Sequence, residues 1–264
     1  MSQESAPTVG LELRGPVALL TLDDRPRKNA MSVALGDALQ ARVAELQRRD
    51  DLRAVVLTGG GGAFSAGGDL AMLERLRGVT REESREFMMG FYRRYLSVTR
   101  LPVPTLAAIE GPAIGAGLCV AMACDLCVVD QDAKLALNFV QLGLHPGMGA
   151  TYLAPHRVGP QRAAELLWTG RRFDGREARA LGIALEALPA AEVLPRALAL
   201  AEQIAASAPL AVRALKRRLG LDLAELERAL VHEADAQSES YASADLGEGL
   251  AAAQARRPPA FRGA

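Results

Sequence analysis

Apolar residues in the first part of the chain recur with two different spacings. The segment VGLELRGPVALLTLDD contains two strand-like stretches on either side of Gly15 and Pro16, a pair that favours a turn. The segment SVALGDALQARVAELQRRD then places its apolar residues at helical spacing behind Ser32, a residue type that suits a helix N-cap. We therefore predict a β-hairpin followed by a helix.

Strand-like and helix-like segments alternate through the middle of the chain. The apolar runs AVVLTG and PTLAAIEG predict buried strands at residues 54–59 and 104–111, and between them the pattern predicts a helical stretch from about residue 69 to residue 101. GAGLCVAMACDLCVVD predicts an apolar helix followed directly by another strand, and AKLALNFVQLGLHPG predicts one more. Repeated β-helix-β units indicate a layered α/β fold with buried strands.

The pattern from residue 158 onward predicts helices alone. Segments such as AEVLPRALALAEQIAASA and DLAELERALVHEADAQ carry stripes of leucine and alanine, which must pack on the α/β core or on another subunit. We therefore divide the chain into a core of residues 1–195 and a helical C-terminal region of residues 196–264.

Composition and charge narrow the classes of function. The chain has 264 residues, of which 50% are hydrophobic, so it can bury one large core. Its formal net charge is zero and its basic residues are scattered, which disfavours a nucleic-acid partner. The opening MSQESAPTVG lacks the features of a signal peptide, and no apolar run approaches the roughly 18 residues of a membrane span. We expect no membrane partner and a cytoplasmic location.

The three cysteines do not indicate a metal or a disulfide framework. Cys119, Cys124 and Cys127 lie in one apolar segment, are odd in number, and have no matching cluster of histidines or further cysteines. We expect buried thiols, and we predict no metal and no redox cofactor.

A glycine-rich stretch, TGGGGAFSAGGD, follows the strand at residues 54–59. No Lys-Ser or Lys-Thr pair follows these glycines, and the G-x-G-x-x-G spacing fails, which disfavours a nucleotide-binding loop. Two interpretations remain open from the residues alone. The stretch is a plain strand-to-helix turn in which Asp69 caps the next helix, or its backbone N–H groups near Gly67 and Gly68 face a cleft and hold an oxyanion.

A second stretch of the same kind supports the oxyanion interpretation. AIEGPAIGAGLCVAMACDL again runs from a strand through a turn of small residues into a helix, so Gly115, Ala116 and Gly117 present further bare N–H donors. An oxyanion hole needs two converging donors with no side chain between them, and very small residues meet both conditions.

Five segments together resemble a known family. RPRKNAMS, GAFSAGGDL, AIEGPAIGAGLCVAMACDL, LGLHPGMGAT and GEGLAAAQARRPPAF occur in the order and spacing of the enoyl-CoA hydratase/isomerase (crotonase) family, and the resemblance extends from about residue 9 to residue 261. It implies a crotonase-like spiral of ββα units with a C-terminal helical trimerisation region, assembled as a homotrimer or hexamer. It also implies an acyl-CoA substrate, with coenzyme A as part of that substrate and no separate cofactor.

The resemblance assigns roles to individual residues. Gly68 and Ala116 match the two oxyanion donors, which would hold the thioester carbonyl oxygen as it becomes enolate-like. Phe261 would close the adenine side of the coenzyme A site, or else anchor the C-terminus in a neighbouring groove. Contacts with the substrate or its coenzyme A moiety are implied for Lys28, Ala30, Ala66, Gly68, Asp69, Leu70, Ala116, Phe139 and Phe261.

Two positions depart from the family pattern. Family hydratases hold a water molecule between two glutamates, and the corresponding residues here are Cys119 and Phe139. General acid–base groups are each worth about 10²–10⁴-fold in rate, so a pocket without them stabilises an enolate but does not readily hydrate a double bond. His145, in GLHPG, is the first candidate for proton transfer, and the Cys119 thiol is the second.

Three functions are consistent with these observations. The first is an acyl-CoA enzyme of the hydratase/isomerase type, a lyase or isomerase with rearranged proton-transfer groups. The second is a reaction that needs only the oxyanion hole, such as decarboxylation of a malonyl-type thioester or carbon–carbon hydrolysis. The third is a non-catalytic trimer that binds coenzyme A thioesters.

Overall fold

The computed structural model describes residues 6–264, in which short strands alternate with helices as far as residue 188. The strands are β1 (Thr8–Arg14), β2 (Val17–Asp23), β3 (Ala54–Gly59), β4 (Thr105–Ile109), β5 (Ala113–Ile114), β6 (Leu126–Asp130), β7 (Leu135–Ala136), β8 (Arg172–Phe173) and β9 (Glu186–Leu188). The α-helices are α1 (Val33–Gln47), α2 (Leu70–Leu76), α3 (Arg81–Tyr95), α4 (Ala116–Ala123), α5 (Ala150–Val158), α6 (Pro160–Thr169), α7 (Gly175–Leu181), α8 (Ala190–Ala205), α9 (Pro209–Leu219), α10 (Leu223–Ala242) and α11 (Ala244–Ala255).

The larger sheet has six strands in the order β1-β2-β3-β4-β6-β9. The strands β1 and β2 form the predicted antiparallel hairpin, and the other neighbours in this sheet are parallel. A smaller sheet, in the order β5-β7-β8, lies beside the site described below. The strand predicted within AKLALNFVQLGLHPG contributes only the two residues of β7, because the chain turns into a short 3-10 helix at Phe139–Leu142.

Both faces of the central strands β2, β3, β4 and β6 of the larger sheet are buried. Val17 and Leu19 of β2 contact one cluster of apolar side chains, which includes Val193 and Ala197 of α8. Their neighbour Leu20 points to the other face, into the main core. Successive side chains of a strand point to opposite faces, so a strand covered on both sides must be apolar at nearly every position. This explains the continuous apolar runs of the sequence.

The predicted helix between residues 69 and 101 consists of three pieces. Helix α2 ends at Leu76, α3 begins after Thr80, and a 3-10 helix follows at Leu96–Arg100. Thr80 Oγ1 accepts a hydrogen bond from the Glu83 N–H at 3.2 Å, and the Glu83 carboxylate accepts one from the Thr80 N–H at 2.8 Å. This reciprocal capping box starts a new helix, so the predicted helical stretch is divided into separate helices.

The C-terminal part is helical except for β8 and β9, which correct the prediction of helices alone. The division predicted after residue 195 falls inside α8. This helix packs on the larger sheet with residues from Val193 to Ala205. Helix α9 has no buried residue, and α10 packs against α3. Within residues 6–264 no single helix is long and apolar enough to cross a membrane; only α8 and α9 together reach that length and composition, and they meet at an angle of 115°.

Candidate active site

The glycine-rich turn after β3 is held in place by a buried asparagine. Asn29 donates hydrogen bonds from Nδ2 to the carbonyl oxygens of Gly60 and Ala63, at 3.0 and 2.7 Å, and its Oδ1 accepts one from the Asp24 N–H at 2.8 Å. Ser65 Oγ donates to the Asn29 carbonyl at 2.8 Å. Sequence reasoning missed Asn29, because it precedes the two carbonyl groups that it binds by 31 and 34 residues and no local pattern connects them.

The two small-residue turns lie side by side. Ser65 and Ala113 form a parallel bridge, and the Ile114 N–H donates to the Ser65 carbonyl oxygen at 3.0 Å. A Cβ at Gly117 would lie 2.6 Å from Ser65 Cβ, so the close approach of the two turns requires a glycine there. Three residues beyond the bridge in each turn stand Gly68 and Ala116, the two predicted oxyanion donors.

Both of these backbone N–H groups are available to a ligand. Within residues 6–264, the N–H of Gly68 has no assigned acceptor, and the N–H of Ala116 is at the first position of α4, where no helical acceptor exists. The positive end of the α4 dipole adds to the attraction for a negative oxygen at Ala116.

A cavity of about 470 Å³ lies beside both N–H groups. Its wall is largely apolar, with side chains such as Met72, Leu73, Phe91 and Met148. Of the residues predicted to contact substrate, those that line this cavity are Ala30, Ala66, Gly68, Asp69, Leu70, Ala116 and Phe139. The structure therefore brings most of the predicted site together around one chamber.

Charged groups lie near the more exposed part of the cavity wall. Asp69 caps α2 by accepting from the Met72 N–H at 3.0 Å, and its carboxylate is 3.7 Å from the Arg27 guanidinium. Arg27 lines the cavity, whereas Lys28 does not, and Lys28 instead holds the Ala66 N–H through its own carbonyl oxygen at 2.9 Å. Lys28 therefore lies outside the cavity wall, and the cavity-lining cation is Arg27.

Cys119 is not placed to act as a catalytic thiol. Its side chain is fully buried in the core, and the residue does not line the cavity. Burial, reinforced by the nearby Glu233, raises the pKa of the Cys119 thiol well above its ordinary value. The reactive form of a cysteine is the thiolate, which this environment disfavours. Cys119 is therefore a packing residue and not the catalytic thiol that was predicted as a second candidate.

His145 and Phe261 also lie elsewhere. Both line a separate surface cleft, between the loop before α5 and the C-terminal residues, and neither lines the cavity with Gly68 and Ala116. The His145 Nδ1 atom is 2.7 Å from the Pro146 carbonyl oxygen, so the imidazole bonds within its own turn. The proline-glycine turn directs the ring away from the chamber, and within one chain Phe261 does not contact the cavity.

Three further polar groups that line the cavity come from helices α3 and α10, and sequence reasoning missed them. The residues are Tyr92 of α3 and Gln237 and Tyr241 of α10, all of them buried. Burial raises the pKa of both tyrosine hydroxyls, so they stay protonated at neutral pH and act as hydrogen-bond donors rather than bases. The signal in the sequence was the four-residue spacing of Glu233, Gln237 and Tyr241 along one face of a helix.

Glu233 is a buried carboxylate next to this wall. Its Oε2 accepts from the Gly149 N–H at 2.7 Å, and its Oε1 accepts from the N–H and the hydroxyl of Thr151 at 2.8 and 2.6 Å. Burial raises the pKa of Glu233 to about 7, against the lowering effect of these hydrogen bonds. Glu233 therefore joins α10 to the start of α5 and does not line the cavity.

Comparisons with known proteins agree with this arrangement. A family model described as Enoyl-CoA hydratase/isomerase matches residues 12–264. Enoyl-CoA isomerase/hydratase fer4 from Mycosarcoma maydis is 36% identical over 97% of this chain and 96% of its own length. The structure of EchA1_1 from Mycobacterium paratuberculosis superposes with a TM-score of 0.86 and is 32% identical, covering 98% of this chain and 100% of that one. An enoyl-CoA hydratase/isomerase structure from Pseudoalteromonas atlantica gives a TM-score of 0.84 at 28% identity, covering 97% of this chain and 100% of that one. These likenesses confirm the crotonase-like α/β fold predicted from the sequence.

Proposed function

The chain belongs to the enoyl-CoA hydratase/isomerase family, and from this we propose that it binds coenzyme A thioesters and stabilises the enolate of their acyl group. The observation that supports this is the pair of backbone N–H groups, Gly68 and Ala116, which line one cavity and have no acceptor within residues 6–264. Donors fixed in place before the reaction stabilise an oxyanion without reorganising, and each is worth about 10²–10³-fold in rate.

The resident proton-transfer groups do not match those of a hydratase with two glutamates. Asp69 is the one carboxylate among the cavity-lining residues that the structure describes, and it is held by the Met72 N–H of α2. Cys119 is buried behind the wall, and Phe139 presents an apolar side chain to the chamber. A reaction that requires a free carboxylate base is therefore poorly supported by these residues.

This observation favours decarboxylation of a malonyl-type thioester as the second candidate, beside a hydratase or isomerase reaction. In decarboxylation the bond between the α carbon and the carboxylate breaks, carbon dioxide leaves, and the electron pair forms the thioester enolate. The oxyanion donors stabilise that enolate, which then takes a proton at the α carbon. No protein base is needed to start the step, and the apolar wall beside Phe139 favours loss of charge from the carboxylate.

A panel of thioesters tests these proposals. We expect the protein to bind acyl-CoAs, to release carbon dioxide from malonyl-CoA or methylmalonyl-CoA, and to hydrate crotonyl-CoA slowly or not at all. Fast hydration of crotonyl-CoA would instead support the hydratase reaction. Binding of every thioester without turnover would favour a non-catalytic coenzyme A-binding protein.

We also propose that the protein assembles as a homotrimer or hexamer in the cytoplasm. Leu210 and Leu219 on α9 and Trp168 on α6 are 79%, 74% and 79% exposed, which is unusual for several large apolar side chains of one chain. Covering them with a second copy would remove this apolar surface from water. Light scattering coupled to size-exclusion chromatography tests the assembly, and a monomer at micromolar concentration would contradict it.

A further inference from the structure

The buried end of the cavity differs from the rest of its wall. Helices α3 and α10 pack against each other there, and Tyr92, Gln237 and Tyr241 reach the chamber, each with 2% or less of its surface exposed. Arg27, at the other extreme of the lining, has a side chain that is 45% exposed. A ligand entering from the Arg27 side therefore meets these three polar groups last.

Two hydrogen-bond donors at this end have no strong acceptor. Tyr92 Oη donates to Gln237 Oε1 at 2.7 Å, and Gln237 Nε2 donates to the His145 carbonyl oxygen at 2.8 Å. An amide nitrogen carries two N–H groups, so one of those on Gln237 has no assigned acceptor within the described chain. Tyr241 Oη donates only to the Met88 sulfur at 3.3 Å, and a thioether is a weak acceptor.

A buried hydrogen-bond donor without an acceptor lowers the stability of the folded protein. Such a donor is retained where a bound ligand supplies the acceptor. The loop that contains Gly147 passes directly against Tyr92 and Gln237. A Cβ at Gly147 would lie 2.5 Å from Gln237 Nε2 and 2.6 Å from Tyr92 Oη, so this close approach requires a glycine. The Tyr92 hydroxyl and the His145 carbonyl oxygen of this loop together hold the Gln237 amide in one arrangement, which fixes the direction of its remaining N–H group.

The charges around this end exclude an ionised ligand group. Among the cavity-lining residues that the structure describes, Arg27 is the one cation, and it belongs to the exposed part of the wall. Glu233 lies one helical turn before Gln237 on α10, and its carboxyl group offers no positive partner to a ligand carboxylate. A carboxylate at the buried end would be desolvated without a positive partner, whereas a neutral oxygen would only need the two donors.

We propose that Gln237 and Tyr241 form a specificity subsite for a neutral acceptor oxygen, a hydroxyl or carbonyl group, on the acyl chain of the coenzyme A thioester. This rests on the proposed function, because the cavity is taken as the acyl site. The Tyr92 hydroxyl acts as a positioning group, since it fixes the Gln237 amide through its oxygen.

Isothermal titration calorimetry with matched ligands tests the subsite. The probes are hexanoyl-CoA, its hydroxylated analogues with the hydroxyl group at successive carbons of the acyl chain, and adipyl-CoA as the charged analogue. We expect at least one hydroxylated analogue to bind about tenfold more tightly than hexanoyl-CoA, which is the worth of one well-formed hydrogen bond, and adipyl-CoA to gain nothing. This preference should disappear in Tyr241→Phe and in Gln237→Met.

Tyr95→Phe is the matched control, because Tyr95 is a buried tyrosine of the neighbouring helix α3. Its hydroxyl donates to the Ser32 carbonyl oxygen, and the residue does not line the cavity. It should keep the wild-type preference. Tightest binding of hexanoyl-CoA, or an oxygen preference that survives in both Tyr241→Phe and Gln237→Met, would overturn the subsite, as would a lack of binding by every thioester.

A preference that is lost in Tyr241→Phe and kept in Tyr95→Phe supports the subsite even if no thioester is turned over. Failure of the proposed catalysis is thereby distinguishable from failure of the subsite. Circular dichroism of each variant shows that it is folded before its affinities are compared.

Discussion

Ala116 allows one oxyanion donor to be removed with little damage to the backbone. It is the first residue of α4, a position where proline is well tolerated because the N–H has no helical acceptor. We expect Ala116→Pro to lower kcat/KM for the preferred thioester by about 10²–10³-fold while the protein stays folded. The measurement is steady-state kinetics on the substrate that the thioester panel identifies.

Ala116→Gly is the control for this prediction, because it changes the side chain and keeps the N–H group. It should retain most of the wild-type turnover. Equal turnover in a folded Ala116→Pro protein would contradict the oxyanion role of this residue.

His145 provides a second test at the scale of a single residue. Its imidazole lies outside the cavity, while its carbonyl oxygen accepts from Gln237 Nε2, and alanine preserves that carbonyl. We therefore expect His145→Ala to leave turnover of the preferred thioester close to wild type. A large loss of kcat with an altered pH profile would restore the imidazole as a proton-transfer group.

At the scale of elements, the two turns depend on specific glycines to different degrees. A Cβ at Gly117 would lie 2.6 Å from Ser65 Cβ, whereas a Cβ at Gly68 would meet only Leu73 Cδ1, at 3.9 Å. We expect Gly117→Ala to lower the free energy of unfolding by about 1–3 kcal/mol, because the clash outweighs the better helix propensity of alanine.

Gly68→Ala is the matched variant and should change the free energy of unfolding little. Urea denaturation of the two variants and the wild type checks the difference. Equal stabilities would mean that the turns can separate without cost, and that their contact does not position the donors.

Element boundaries were the least predictable feature of the chain. The capping box of Thr80 and Glu83 was readable in the sequence, and Gly78 and Val79 directly before it are poor helix formers, yet the prediction passed over this break. The strands β8 and β9 are two and three residues long, and they exist because neighbouring strands supply their hydrogen-bond partners. Such short strands have no periodicity of their own to read.

At the scale of the whole molecule, Glu233 joins the C-terminal helical region to the core. Its pKa is raised to about 7 by burial, above the ordinary value of 4.5, so the folded state binds its proton more tightly than the unfolded state. The sign follows from this difference: as the pH rises from about 4.5 to 7, the unfolded state ionises first and the protein loses stability.

We expect the wild type to lose on the order of 3 kcal/mol of unfolding free energy between pH 4.5 and pH 7.5, relative to Glu233→Gln, which does not titrate. Comparing the two proteins at each pH cancels the contributions of all other groups. A difference that stays constant with pH would show that the pKa of Glu233 is not raised.

The alternation of the longer strands and helices, the buried character of the central strands and the two small-residue turns follow from the sequence alone, because they depend on local spacing and on side-chain size. The family resemblance, carried by sequence motifs, predicted Gly68 and Ala116 as the pair of oxyanion donors. The tertiary structure decided which side chains enter the chamber. His145 and Cys119 lie in segments that resemble the family's site. The turn at His145 nevertheless keeps its imidazole outside the chamber, and the core encloses the Cys119 side chain. Tyr92 and Gln237 are 145 residues apart and meet only because α3 packs on α10. Contacts of that kind depend on how helices pack across the fold, which no local pattern specifies.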